Sequence, residues 1–260
     1  MIAEQTEQSA TARSRREGNQ MTNLFDITGD VAVVTGAGTG IGRGIAEALA
    51  NAGASVVCAA RRENEIEETA ALINQAHGSG RAIAVRTDVT SATDMEALAK
   101  AAVDRFGRLD IWVNNAGGSP VSRPLVDLPE EEWHRTLAVN LTSVFYGERA
   151  AMKHMGDGSR ILNTSSLAGQ NPFPGSGHYS AAKAGVSMLT KTLAHELGHK
   201  TLINTIWLMK IFRRWNSSST CRQADWARLR TLARRRSISA RRCQLGSQGS
   251  VSKLQEPPDS

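Results

Sequence analysis

Val31-Ala-Val-Val-Thr35-Gly-Ala-Gly-Thr-Gly-Ile-Gly42 is the stretch that decides the architecture of this 260-residue chain. Val31–Thr35 is β-branched and apolar enough to be a buried strand. Glycines at 36, 40 and 42 follow at once, and residues 41–52 carry helical periodicity, with Gly53 at the expected stop. Glycines between a strand and a helix let the backbone turn tightly and approach a pyrophosphate, whose charge meets the helix N-terminus. Gly36, Thr39, Gly40, Ile41 and Gly42 are therefore candidate nucleotide-binding residues. A merely flexible loop leaves the strand and helix on either side unexplained.

Outward from this turn the pattern alternates. Further strands are predicted at 55–59, 82–87, 109–113, 160–164 and 202–206. Helices are predicted over 63–75, from a Ser91 cap to about Phe106, and from an Asp127 cap through Pro129 to about Met155. A last helix starts near Tyr179. Short β-branched runs alternating with amphipathic helices predict a doubly wound, Rossmann-like parallel sheet in three α/β/α layers. The second strand ends Ala59-Ala60-Arg61-Arg62, with no carboxylate before Glu63. A basic residue there suits the 2′-phosphate of NADP, whereas an acid would favour NAD, so Arg61 is the expected selector and NADP the preferred cofactor.

The second chemical stretch is Asn163–Lys183, NTSSLAGQNPFPGSGHYSAAK. Tyr179 and Lys183 are four residues apart and share one helix face. An ammonium beside a phenol is expected to pull its pKa down from ~10 towards working pH. Ser166, at the carboxyl end of the strand before the loop, can bond the same substrate oxygen. Alone, this tetrad is common on helix surfaces. His178 is set aside as the acid/base, because Tyr179 already has its ammonium partner.

Together TGAGTGIG, the Asn114-Asn-Ala-Gly117 turn and Ser166…Tyr179-Ser-Ala-Ala-Lys183 resemble a short-chain dehydrogenase/reductase of the compact single-domain type, over about residues 24–206. The resemblance implies reversible hydride transfer between NAD(P) and a secondary alcohol or ketone. Tyr179 would be the general acid/base, Lys183 would hold the nicotinamide ribose and Ser166 would orient the carbonyl. Asn140 would shape a water-mediated proton relay. Asp88 and Val89 would sit against the adenine, Asn115, Ala116 and Gly117 would line the adenosine ribose, and Asn114 would tie neighbouring strands. The family reading also implies a homotetramer.

The organisation expected is a disordered extension over 1–22, a dinucleotide-binding and catalytic domain over 23–206, and a basic, poorly ordered tail over 207–260. Net charge is +6, yet residues 207–260 alone carry twelve Lys and Arg against three Asp and Glu. The Ala-Pro-Gly turn, substrate lid and closing Asp-Gly-Gly strand of the family are missing after Ile206, consistent with a segment read out of frame from about 201–207 onward. Nucleic-acid or membrane binding by this tail is the less favoured reading, for want of a motif or stacking pattern. The alternative to an enzyme is a non-catalytic cofactor-binding or interaction protein that has lost its substrate region. Cys58, Cys221 and Cys243 form no disulfide framework or metal spacing, no run reaches the ~20 apolar residues of a membrane span, and a cytoplasmic location is expected.

Overall fold

A computed structural model describes residues 26–119, 121–198 and 200–208. These lie in one compact unit, Met1–Ile211; a second unit, Phe212–Ser260, contains most of the basic tail and lies outside the described residues, as does the 1–22 extension. The elements in chain order are β1 (Val31–Thr35), α1 (Gly40–Asn51), β2 (Ser55–Ala60), α2 (Glu63–His77), β3 (Ala82–Arg86), α3 (Ala92–Phe106), β4 (Ile111–Asn114), α4 (Glu130–Leu137), α5 (Ser143–Met152), β5 (Ser159–Ser166), α6 (Gly177–Leu197) and β6 (Thr201–Leu208). All six strands are parallel, in the order β3-β2-β1-β4-β5-β6. The order reverses between β1 and β4, which opens a crevice at the carboxyl ends of the strands.

Strand alternation divides the core into two layers. Ala32, Val34, Val56, Cys58, Ile111 and Val113 face α1 and α2 and pack on Ile45, Ala46, Ile66 and Ile73. Val31, Val33, Val57, Trp112, Ile161 and Ile203 face the opposite way, onto Met95, Leu98, Ala102, Ala150 and Ala151. Burying each Val, Leu, Ile or Met side chain among them contributes roughly 1.5–3 kcal/mol, so both layers stabilise the sheet. Leu202, one residue from buried Ile203 and so on the other face, stays 58% exposed.

Ser91 caps α3 as expected: its Oγ accepts from the Asp94 N–H (3.1 Å) and donates to the Asp94 carboxylate (2.8 Å). Asp127 does not cap the next helix. It ends a short 3₁₀ turn, Leu125–Asp127, and α4 begins after Pro129 with no side-chain cap. Three glutamates in its first turn favour the positive end of the helix dipole instead. The predicted long helix is interrupted by a π turn over Ala138–Thr142. Strand β5 runs to Ser166 and β6 to Leu208, beyond their predicted ends, because the parallel register continues through Ser165↔Trp207 and Ser166↔Leu208.

Candidate active site

The turn between β1 and α1 is shaped by what its glycines exclude. Gly36 (φ 67°) and Gly40 (φ 56°) adopt the left-handed conformation that other residues resist. A Cβ at Gly42 would overlap the Gly36 carbonyl oxygen and lie 2.5 Å from Asn115 Nδ2, so α1 can start there only with glycine. Beneath the turn, Arg43 Nε donates to the Gly38 carbonyl (2.9 Å) and to Thr69 Oγ1 (3.0 Å), and Glu68 pairs with the same guanidinium (2.9 Å). Thr39 caps α1 without a side-chain bond, leaving the first-turn N–H groups free for an anion. Ile41 is 53% exposed above them. This cradle fits the pyrophosphate of a dinucleotide.

The turn after β4 is latched to the same place. Thr35 Oγ1 accepts from the N–H groups of Asn115 (3.0 Å) and Ala116 (3.1 Å), and Asn115 Nδ2 donates to the Thr35 carbonyl (3.0 Å). The Asn115 amide thus joins β4 to β1. A Cβ at Gly36 would sit 3.0 Å from Ala116 Cα, so both backbones crowd one rim of the crevice. At the next strand ends the Thr90 N–H (2.9 Å) holds the Asp88 carboxyl below its usual range, against burial, with smaller help from the Thr90 hydroxyl and from Arg61 and Arg86. Val89 is buried against the core and Asp88 beside it is half-buried.

Ser166 ends β5, and α6 brings Tyr179 and Lys183 over it. Ser166 Oγ accepts from the Ala168 N–H (3.2 Å), which leaves its own hydrogen to donate. Lys183 is 3% exposed, and its Nζ donates to the Thr164 carbonyl (2.7 Å). Asn140 is fully buried in the π turn. Its Nδ2 donates to the carbonyls of Gly118 (2.8 Å) and Thr136 (3.0 Å), and its Oδ1 accepts from the Gly118 N–H (2.9 Å). The Asn140 amide competes with the backbone for the Thr136 carbonyl four residues back, which accounts for the local widening of the helix. Asn140 Oδ1 and Lys183 Nζ approach Gly117 so closely that a Cβ there would lie 2.6 Å and 3.4 Å from them. The π turn, β5 and α6 therefore bring all four predicted catalytic residues to one cleft.

One expectation is overturned. Tyr179 has its phenol pKa pushed up, not down. Burial raises it, and the Ser166 hydroxyl opposes that only in part. The Lys183 ammonium lies 5.7 Å from the centre of the ring, and burial lowers its own pKa to about 8. Desolvation of both groups outweighs the attraction the spacing promised.

Asn114 ties β4 to β5 as expected, and what the sequence did not disclose is the polar ladder that continues from it under this cleft. Asn114 accepts from Trp112 Nε1 (2.7 Å) and donates to Asn163 Oδ1 (2.9 Å). Asn163 in turn donates to Glu148 (2.7 Å) and Thr190 (2.9 Å). Asn114↔Asn163 is a register pair of β4 and β5, which places the two amides side by side. Glu148 is 4% exposed, and burial pushes its carboxyl up to about 7. The folded state therefore holds this proton where the unfolded chain releases it. Its cost to stability is absent below the ordinary carboxylate range, grows as pH rises from there to about 7, and is complete above. Glu148→Gln, which can still accept from Asn163, is expected to be more stable than the parent by about 2–3 kcal/mol at pH 8 and little changed at pH 4. Thermal melts at the two pH values check this; equal effects at both would refute it.

Among known proteins, the family model described as short chain dehydrogenase matches residues 30–209. The chain belongs to the short-chain dehydrogenase family. A short chain dehydrogenase/reductase astE of Aspergillus oryzae is 41% identical over 186 residues, covering 70% of this chain and 71% of the relative. The 3beta-hydroxysteroid dehydrogenase 1 of Eggerthella lenta is 41% identical over 189 residues, with 70% of each chain covered. The crystal structure of a Burkholderia cenocepacia short chain dehydrogenase in complex with NADP superposes with a TM-score of 0.65 at 34% identity, covering 69% of this chain and 73% of that one. Membership makes this short-chain dehydrogenase an NAD(P)-dependent oxidoreductase. Among its described residues no helix is long and apolar enough to cross a membrane.

Proposed function

We propose that the protein catalyses reversible, NADP-dependent interconversion of a secondary alcohol and a ketone, through Tyr179, Ser166, Lys183 and Asn140. The observation that carries this reading is that these four side chains, from β5, α6 and the π turn, converge on one cleft beside the glycine turn. A bound nicotinamide would supply or accept the hydride. The protein's own work is to bind, orient and move the proton. Gly36, Gly40 and Gly42 would admit the pyrophosphate, with Thr39 and Ile41 at the helix start. Tyr179, its pKa raised by burial, is a protonated phenol at neutral pH and can give its proton to the oxygen of a ketone undergoing reduction. In oxidation it takes that proton back. Ser166, whose hydroxyl faces the Tyr179 phenol, can donate its hydrogen to the same substrate oxygen. Lys183, with one N–H on Thr164, keeps two for the ribose hydroxyls. Asn140 acts by position, since both amide hydrogens are already used.

The NADP preference is supported by the two arginines after β2. Arg62 pairs with Glu65 (2.9 Å), whereas Arg61 has no ion-pair partner among the described residues and stays exposed. Arg61→Ala is expected to weaken NADPH binding about tenfold or more, the loss of one charge-assisted contact, and to leave NADH unchanged. Thermal shift titrations with both cofactors check it. A parent that NADH stabilises as strongly as NADPH would overturn the assignment.

A further inference from the structure

His178 is fully buried one residue before Tyr179, and its Nε2 lies 3.0 Å from Ser119 Oγ. Ser119 has a single hydroxyl hydrogen, which it donates to the Val121 carbonyl (3.0 Å). The imidazole must then be the donor, with its hydrogen on Nε2. His178 Nδ1 is buried without a hydrogen-bond partner among the described residues.

The partner of that bond matters more than the ring. Ser119 follows Gly117 and Gly118, the segment that Asn140 clamps from the other side through both backbone groups of Gly118. Gly117 is itself wedged against Asn140 Oδ1 and Lys183 Nζ. The loop after β5 is tied in as well, since the Arg123 N–H donates to the Gly175 carbonyl (3.0 Å) and Gly175 crowds Ser122. The wall of the cleft formed after β4 is therefore pinned to the first turn of α6, the turn that carries Tyr179.

We propose that His178 is a positioning residue: its Nε2–H···Ser119 bond sets the distance between the Tyr179 phenol and the Gly117–Ser119 wall. The proposal rests on Tyr179 being the proton donor. Glutamine reaches about as far as Nε2 and keeps an N–H donor, whereas leucine fills the space without one.

The test compares Ser119→Ala, His178→Leu and His178→Gln in a Tyr146→Phe background. The chain has two tyrosines, so the ultraviolet titration of the remaining phenol then reports Tyr179 alone. Ser119→Ala and His178→Leu are expected to bring that titration down towards the ordinary tyrosine value, because the burial that raises it is loosened. With cyclohexanone and NADPH both variants should lose about ten- to a hundredfold in kcat, with the KM for NADPH unchanged. The double variant should lose no more than either single one. His178→Gln should restore most of both readouts and keep the parental pH profile. Ser119→Ala guards against a leucine variant that fails to fold. A Tyr179 titration indifferent to all three changes, or a limb missing from the His178→Gln pH profile, would overturn the proposal. Absence of turnover in the parent would count against the catalytic reading, while the titration would still decide the strut.

Discussion

Replacing Tyr179 with phenylalanine is expected to lower ketone reduction by ~10²–10⁴-fold while leaving the fold and the NADPH-induced thermal shift intact. The substitution deletes the hydroxyl proposed to supply the proton and keeps the ring that faces the Lys183 ammonium. Binding of a ligand to the native state alone stabilises it by about 2.7 kcal/mol at a hundredfold excess over Kd, so a retained shift separates lost chemistry from lost binding. The pH dependence should follow the raised phenol. Reduction, which needs the protonated form, is favoured at neutral pH and falls as Tyr179 ionises; oxidation, which needs the phenolate, rises over the same range. Turnover by the phenylalanine variant within tenfold of the parent would remove Tyr179 from the mechanism.

Gly42→Ala is expected to have the largest effect on the cofactor cradle. Its Cβ would overlap the Gly36 carbonyl, which is backbone, and crowd the Asn115 amide that latches the β4 turn to β1. No rotamer change relieves that overlap, so either α1 or the turn must move. Overpacking of this kind costs about 1–3 kcal/mol, and the displaced N–H groups should abolish the NADPH-induced shift at concentrations that saturate the parent. Gly44, one helical position pair further on, is the internal control. A Cβ there meets nothing within 4 Å, and alanine in a helix interior is favoured over glycine by roughly 1 kcal/mol. Gly44→Ala should therefore melt slightly higher and bind NADPH normally. Equal behaviour of the two variants would mean that the turn is not held by this contact.

The parts of the site that were legible in the sequence share one property: each is written within a few neighbouring residues. Gly36, Gly40 and Gly42 declare themselves because turn, strand and helix are contiguous, and Tyr179 and Lys183 because four residues is one helical turn. Ser91 announced its helix for the same reason. What escaped notice depends on residues far apart in the chain. Glu148 meets Asn163, and His178 meets Ser119, only once the sheet has been assembled, and no local spacing encodes either pair. Asp127 failed as a cap because Pro129 fixes where the backbone can enter the helix, and a 3₁₀ turn claimed the aspartate first.

By itself the sequence determined the alternation of strands and helices, hence the parallel sheet, the place of the glycine turn and the four side chains proposed here as catalytic. Periodicity and short motifs are properties of the chain alone. Only the tertiary structure decided the direction of the Tyr179 pKa, the clamping role of Asn140 and the pairing of His178 with Ser119. Each depends on which atoms lose their water and which donors face them, and long-range packing of β5, α6 and the π turn makes that choice.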